Sequence, residues 1–479
     1  MKRYNYLFLT LAVALMSSCG VYKSYERPAD IKTQGLYGNA ESGTQSMGEL
    51  GWREVFTDPT LQALIEKGLA QNSNIRQADL RIQEAQNNLK AAKLAYAPTL
   101  AFNPSGTISG VIDPYNREEY KDQLGGGATT TYAFPIAASW QTDCFGSIRH
   151  AKKKIEVALK NMEYVRQAVH TALVSNIASL YYSLAMMDEQ LAIATETREN
   201  WKQNLEVTKK LMAAGQSNKA AVASTEANYW SICTSVEDLK HSIREVENVL
   251  SALIGEMPAP VSRQALSTFR KPSVCTTGLP ISLLERRPDV KQAEMALASA
   301  FYTKNQAKAS FFPSLNISAQ GQYTNSLGSL VINPGGFILA AVASITQPLF
   351  ANGQLRANYK NSKAEMEVAT IGFQQTLLDA GKEVNTAMAA IHNAEAKKEM
   401  LANQVSSLRQ AVDATEKLMQ YSNTNYLQVL TARSSLLSAQ LGEVANNYNI
   451  ISNTITLYQA LGGATEKTFP PHPQNLNRR

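Results

Sequence analysis

The chain has 479 residues, of which 18% are charged and 8% aromatic, with a formal net charge of +6. That composition suits neither a disordered chain nor a helical membrane protein. Lys and Arg alternate with Glu through the helical stretches, so the positive balance reads as solvated helix faces and leaves no nucleic-acid footprint.

At the N-terminus, Lys2 and Arg3 precede an apolar run from Tyr6 to Met16, followed by Ser17, Ser18 and Cys19. A basic region, an apolar stretch too short to span a bilayer and small residues at a cleavage point describe an export signal over 1–18. Cleavage before Cys19 makes that thiol the first residue. The segment resembles the bacterial lipobox, with Met16 where the common pattern has Leu, and the resemblance implies acylation of Cys19. Each buried methylene of an acyl chain is worth about 0.8 kcal/mol, so several chains hold a protein at a membrane without a transmembrane helix. The other cysteines, Cys144, Cys233 and Cys275, show no CxxC or metal-ligand spacing and nominate no disulfide pair.

Residues 100–112 alternate, with Asn103, Ser105, Thr107 and Ser109 opposite Leu100, Phe102, Ile108 and Ile112. Period two means strand. Asp113-Pro114 supplies turn chemistry, and Tyr132, Phe134, Ile136, Ala138 and Trp140 mark the returning strand. No Pro or Gly interrupts residues 147–212, and apolar residues from Ile155 through Leu173, Ile177 and Leu184 to Ala194 recur in steps of three or four. That seam predicts one helix of about 65 residues, roughly 100 Å long. Ala213-Ala214-Gly215-Gln216-Ser217 breaks it, and a second helical stretch runs to Gly255.

The pattern then repeats. Ile75-Arg76-Gln77-Ala78 and Pro98-Thr99-Leu100 return 215 positions on as Val290-Lys291-Gln292-Ala293 and Pro313-Ser314-Leu315. Leu211-Met212 and Ile254-Gly255 return 207 positions on as Leu418-Met419 and Leu461-Gly462. The second copy has strict alternation over 315–324, turn chemistry at Asn333-Pro334-Gly335-Gly336, a long helix from about Leu355 to Gln420, and a break at Tyr421-Ser422-Asn423-Thr424-Asn425. Each half therefore carries a helix, one β-hairpin and a long helical hairpin, and such a unit cannot bury its faces alone.

Strands of about 10 to 13 residues, apolar on one side and polar on the other, match a lipid-facing barrel wall. Four strands cannot close, and an open edge in lipid leaves backbone groups unsatisfied at several kcal/mol each. Other copies of the chain must complete the barrel. Two copies give eight strands with a filled interior and three give twelve with an opening, and strand arithmetic leaves both open. Catalytic patterns are lacking: the five histidines form no HExxH, no GxxxxGK[ST] occurs, and no serine sits in GxSxG. No catalytic, cofactor or metal site is expected.

Leu279-Pro280-Ile281-Ser282-Leu283-Leu284-Glu285-Arg286-Arg287-Pro288-Asp289-Val290-Lys291-Gln292-Ala293-Glu294 resembles the signature of TolC-like outer-membrane efflux lipoproteins of NodT type. Phe312-Pro313-Ser314-Leu315 at a strand start, Trp140 to Gly146 leaving one, Gln347-Pro348-Leu349-Phe350 as its partner and Asn425-Tyr426-Leu427-Gln428-Val429-Leu430 after the second break fall in the same order. The resemblance covers about Trp52 to Gly463. It implies a mainly α fold with a β-barrel portion: a homotrimer forming a 12-stranded outer-membrane barrel continued by a long α-helical barrel, two structural repeats per chain, with a mixed equatorial belt. It also implies outer-membrane lipid, a periplasmic adaptor and an inner-membrane pump of RND or ABC type as partners of a passive exit duct. The adaptor itself is the alternative, but an adaptor has one helical hairpin within a lipoyl-like β domain. The expected segments are a signal peptide (1–18), a lipid-anchored equatorial segment (19–58), the first repeat (59–255), an equatorial linker (256–280), the second repeat (281–462) and a tail (463–479).

Family members narrow at the helix-hairpin tips, which places Leu418, Ser422, Asn423, Thr424 and Asn425 at one tip and Gly215, Gln216, Ser217 and Asn218 at the other. Relatives often carry an aspartate where this chain has Thr424, so a neutral polar constriction is expected here. For Arg286-Arg287-Pro288-Asp289 the reading is a helix start, with Pro288 in the first turn and Asp289 near the positive helix end. Replacing Cys19 with Ala is expected to abolish incorporation of radioactive palmitate, and labelling at the wild-type level would refute acylation there.

Overall fold

The computed structural model describes residues 24–28, 47, 50–110, 128–272, 286–326, 336–421 and 426–463. Cys19, Cys275 and the tip residues Ser422, Asn423, Thr424 and Asn425 lie outside the described residues. In chain order the elements are α1 (Trp52–Val55), α2 (Pro59–Gln71), α3 (Ser73–Leu94), β1 (Thr99–Phe102), β2 (Ser105–Gly110), β3 (Ala128–Thr142), α4 (Ser147–Ala213) and α5 (Lys219–Ile254). After the linker come α6 (Pro288–Ala309), β4 (Ser314–Ser326), β5 (Gly336–Thr346), α7 (Gln354–Tyr421) and α8 (Tyr426–Ala460).

The repeat offsets reappear as element boundaries. Helices α3 and α6 are each 22 residues long and start 215 positions apart, while α4 and α7, of 67 and 68 residues, start 207 apart. The helix ends match too. Gly255 has φ +81° and Gly462 φ +93°, and at both the left-handed residue closes a Schellman motif. Glu256 N–H donates to the Ser251 carbonyl at 2.9 Å in the first copy, and Gly463 N–H donates to Tyr458 at 3.0 Å in the second.

Of the described residues, those within 1–29, 82–161 and 294–371 form one compact unit, and those within 30–81, 162–293 and 372–479 form another. The second unit holds the apolar core. Trp52, Phe56, Tyr181, Leu184 and Tyr458 are fully buried there, with Phe56 edge-on to Tyr458 at 5.6 Å. Of the predicted α4 seam, Leu173, Ile177, Leu184 and Ala194 are buried, whereas Ile155, Leu159, Met162 and Val165 are only half-buried.

The first unit holds one antiparallel sheet in which β3 and β4 are central, β1 and β2 lie along β3, and β5 lies along β4. Pairing of β2 with β3 and of β4 with β5 forms the two expected hairpins, and pairing of β3 with β4 joins the halves. One expectation is corrected. Over 100–110, the described part of the strand predicted over 100–112, there are two strands, because Pro104 has no N–H to give to the ladder. Register is kept across the gap, with Phe102 opposite Ile136 and Ser105 opposite Ala133. The segment Gln347 to Phe350 leaves a strand, as its repeat partner does: β5 ends at Thr346, and Leu349 and Phe350 are exposed beyond it.

Glycine matters most where φ is positive and space is short. A Cβ on Gly462 would lie 3.1 Å from Arg287 Cα, whereas one on Gly215 (φ +74°) would meet nothing within 4 Å. Gly462→Ala is therefore expected to cost about 2 kcal/mol and Gly215→Ala about 1 kcal/mol. Thermal unfolding of the two variants checks the order, and equal losses would contradict it.

Candidate functional site: an apolar sheet face and matched helix clamps

Cross-strand partners share a face of a sheet, so the register sorts every strand residue. Leu100, Phe102 and Ile108, then Phe134, Ile136, Ala138 and Trp140, then Leu315, Ile317 and Ala319, then Leu339, Ala341, Ala343 and Ile345 all fall on one side. That side is solvent-accessible: Leu100 and Ile108 are each 75% exposed and Leu339 73%. Ser105, Thr107, Ser139, Gln141, Asn316, Ser318, Gln320 and Gln322 line the other side, where Gln320 Nε2 donates to Gln322 Oε1 at 3.1 Å. Ile338 and Val342 of β5 are apolar exceptions there. None of the five strands contains Asp, Glu, Lys or Arg. Apolar side chains gain about 1.5 to 3 kcal/mol each on leaving water, so a charge-free face this wide calls for a non-aqueous neighbour.

Aromatic rings cluster where the strands meet the helices. Trp140 Nε1 donates to the Tyr96 carbonyl at 2.9 Å, Phe145 stacks on Phe312 at 5.0 Å, and Phe311 meets Tyr359 edge-on at 6.0 Å. Such a belt marks the boundary between hydrocarbon and water in membrane barrels. Among the described residues no helix is long and apolar enough to cross a membrane, which says nothing about strands.

In the second unit two helix ends are tied down by equivalent residues. Asn72 Nδ2 donates to the Leu253 carbonyl at 2.8 Å, while Asn72 Oδ1 accepts from Asn74 N–H at 2.8 Å and so caps α3. At the position 215 residues on, Arg287 Nη1 donates to the Ala460 carbonyl at 2.7 Å, and Asp289 Oδ1 accepts from Val290 N–H. The Arg287 guanidinium also grips Asp289 through two bonds of 3.0 and 2.7 Å and Glu383 of α7 at 2.7 Å. It is 6% exposed. Arg287 thus does more than start a helix: it joins α6, α7 and the end of α8. The fixed offset between Asn72 and Arg287 was the available signal for this role.

Between the repeats, the linker is strapped to three helices. Arg263 binds Asp188 of α4 at 2.5 and 2.7 Å and Glu247 of α5 at 2.6 Å, and Lys271 pairs with Glu395 of α7. Gln264 N–H donates to the Tyr181 hydroxyl at 2.9 Å, and that hydroxyl donates to Asp58 at 2.5 Å. At the first tip, Gly215 and Gln216 close α4 with bonds to Met212 and Leu211, and the Asn218 side chain caps α5 by accepting from Ala221 N–H at 2.9 Å. Leu418, near the end of α7, is half-exposed. Among the described residues no group of His, Cys, Asp and Glu is placed to hold a metal.

Burial, reinforced by the bond to Asp58, pushes the Tyr181 hydroxyl well above the ordinary tyrosine range, and burial beside Asp58 does the same to Tyr182. A folded pKa above the unfolded one adds stability that is whole below about pH 10 and is lost as pH rises beyond it. Tyr181→Phe is expected to lower stability near pH 8 by about 1 to 3 kcal/mol, from the lost hydrogen bonds. It should also flatten the decline above pH 10. Unfolding midpoints measured from about pH 8 to 11 test this, and parallel curves for the two proteins would contradict it.

The family model "Outer membrane efflux protein" matches residues 64–256 and 279–463. The chain is 28% identical over 470 residues to the "Cation efflux system protein CusC" of Escherichia coli O6:H1, covering 96% of this chain and 99% of that one. A crystal structure of CusC superposes with a TM-score of 0.81 at 26% identity, covering 93% and 100% of the two chains. The open-state outer membrane channel MtrE of Neisseria gonorrhoeae gives a TM-score of 0.80 at 25% identity over 93% and 98%. The "Probable outer membrane lipoprotein SilC" of Salmonella typhimurium is 25% identical over 469 residues, 97% of this chain and 99% of that one. The chain thus belongs to the outer membrane efflux protein family: it is an outer-membrane efflux channel, neither an enzyme nor an adaptor.

Proposed function

We propose that three copies of the chain close one barrel and one helical tube, which together conduct substrate passively out of the cell. The observation that carries this reading is the sheet itself, apolar and uncharged on one face, polar on the other, and ending in β1/β2 on one side and β5 on the other. Three copies give a twelve-stranded wall with an opening, wet on the polar face. The half-buried upper seam of α4 supports the same reading, because its apolar residues find only part of their packing within one chain. The partners are a periplasmic adaptor and an inner-membrane pump of RND or ABC type that supplies the energy, as the name of CusC as part of an efflux system suggests. Acylation at Cys19 anchors each copy, in keeping with the lipoprotein name of SilC.

The expected segments keep their assignment in this proposal: 1–18 exported and removed, 19–58 anchoring, 59–255 and 281–462 the two repeats, 256–280 the linker and 463–479 the tail. The tips form the periplasmic constriction, with Gly215, Gln216, Ser217 and Asn218 on one hairpin and Leu418 with Ser422, Asn423, Thr424 and Asn425 on the other.

Single cysteines test the wall. In outer-membrane vesicles containing heat-modifiable trimer, Ser318→Cys should react with a membrane-impermeant maleimide at least about ten-fold faster than Ile317→Cys, since lipid screens only the apolar face. Equal reactivity, or recovery of the protein as a soluble periplasmic monomer, would reject the arrangement. At the constriction, Thr424→Asp should raise cation selectivity in planar-bilayer recordings, and an unchanged reversal potential would place Thr424 away from the lumen.

A further inference from the structure

The helix ends that adjoin the strands are strongly basic. Between Ser147 and Lys160, at the start of α4, five basic residues accompany a single acid, Glu156. At the end of α6, Lys304 and Lys308 have no acidic residue between Met295 and Pro313, and α7 opens with Arg356, Lys360 and Lys363 before its first acid, Glu365. All of these lie in the unit that contains the sheet.

The placement of Lys152 relative to the apolar face is set by contacts. The Lys152 ammonium sits 6.0 Å from the centre of the Tyr96 ring, and the Tyr96 carbonyl holds the indole N–H of Trp140, a member of the apolar face. Lys152 and Lys153 share the one carboxylate of Glu156, at 3.5 and 2.8 Å. Asp143, the other nearby acid, is committed to the start of α4, where its two oxygens accept from Ile148 and Arg149 N–H at 2.8 Å each. Lys304 packs its ammonium 5.1 Å from the Phe301 ring. Its proton is held less tightly than usual, through burial first and then through the charges of Lys308 and Lys363. Cations set just beyond an aromatic belt at the edge of a lipid-facing surface lie at headgroup depth, where phosphate is the available anion.

We propose that these helix ends form a cationic collar, with Arg149, Lys152, Lys153, Lys304, Lys308 and Lys363 as its members, that binds the headgroups of anionic phospholipid at the foot of the strand wall. The inference rests on the reading that the apolar face lies in lipid, and it adds that the channel selects its boundary lipids by charge.

Trp140 provides a local reporter. The full chain is reconstituted into vesicles of phosphatidylcholine containing either brominated phosphatidylcholine or brominated phosphatidylglycerol, and quenching of tryptophan fluorescence is recorded. Phosphatidylglycerol should be preferred at least about five-fold at low salt, the worth of one engaged cation near a surface. The preference should vanish near 1 M salt, where charges are screened within about 3 Å. It should fall with Arg149→Gln, Lys152→Gln and Lys153→Gln combined, persist in Lys240→Gln on the exposed face of α5, and lose its signal in Trp140→Phe. Equal quenching by the two lipids in the wild type overturns the collar without needing any variant to fold. Displacement of phosphatidylglycerol by inorganic phosphate, beyond the matched effect of sodium chloride, also overturns the lipid assignment. Absence of quenching by either lipid would instead sink the underlying reading that the sheet faces hydrocarbon.

Discussion

A backbone amide in hydrocarbon has no water to turn to, and this constraint governs the whole chain. Strands β3 and β4 satisfy each other over twelve register positions, and β5 completes the second side of β4. The outer sides of β1/β2 and β5 face away from that ladder. In the proposed ring the β5 edge of one copy meets the β1/β2 edge of the next, and the rest accords with that closure: an uncharged outer face, polar residues inward, and aromatic rings where the strands leave lipid.

The helical part answers a different demand, that of ending long helices without stranding carbonyls. Each repeat uses a left-handed glycine to stop its hairpin and a side chain from the start of the strand-bearing helix to bind one of the last carbonyls. Asn72 achieves this with a neutral amide. Arg287 does it with a cation that needs Asp289 and Glu383 beside it, because an unpaired guanidinium at 6% exposure is costly. One geometry is thus maintained by two chemistries.

Much of this was legible in the amino-acid order. Long uninterrupted seams, matched breaks and the alternation at 315–324 announced α4, α7 and β4 because a single periodicity dominated each. Strand β5 was harder to read: Gly336–Thr346 is apolar on both faces, so no period of two stands out. The gap at Pro104 was visible as a residue but was masked by the regular alternation around it. The Arg287 clamp depends on Glu383 and Ala460, nearly 100 and more than 170 positions away, and local spacing does not reveal such partners. Ser422, Asn423, Thr424 and Asn425 at the second tip and Cys19 at the lipobox are assigned by motif.

The unequal fastening of the two hairpins has an outcome of its own. In the proposed ring of three subunits, six hairpins alternate between one kind whose end is bound by the neutral Asn72 amide and another whose end is bound by the Arg287 cation. Ionic strength acts on the Arg287 fastening through the half-exposed Asp289 and Glu383, whereas the Asn72 amide-to-carbonyl bond is indifferent to it. A ring of three such chains would keep threefold rather than sixfold symmetry in the way its hairpin ends are fastened.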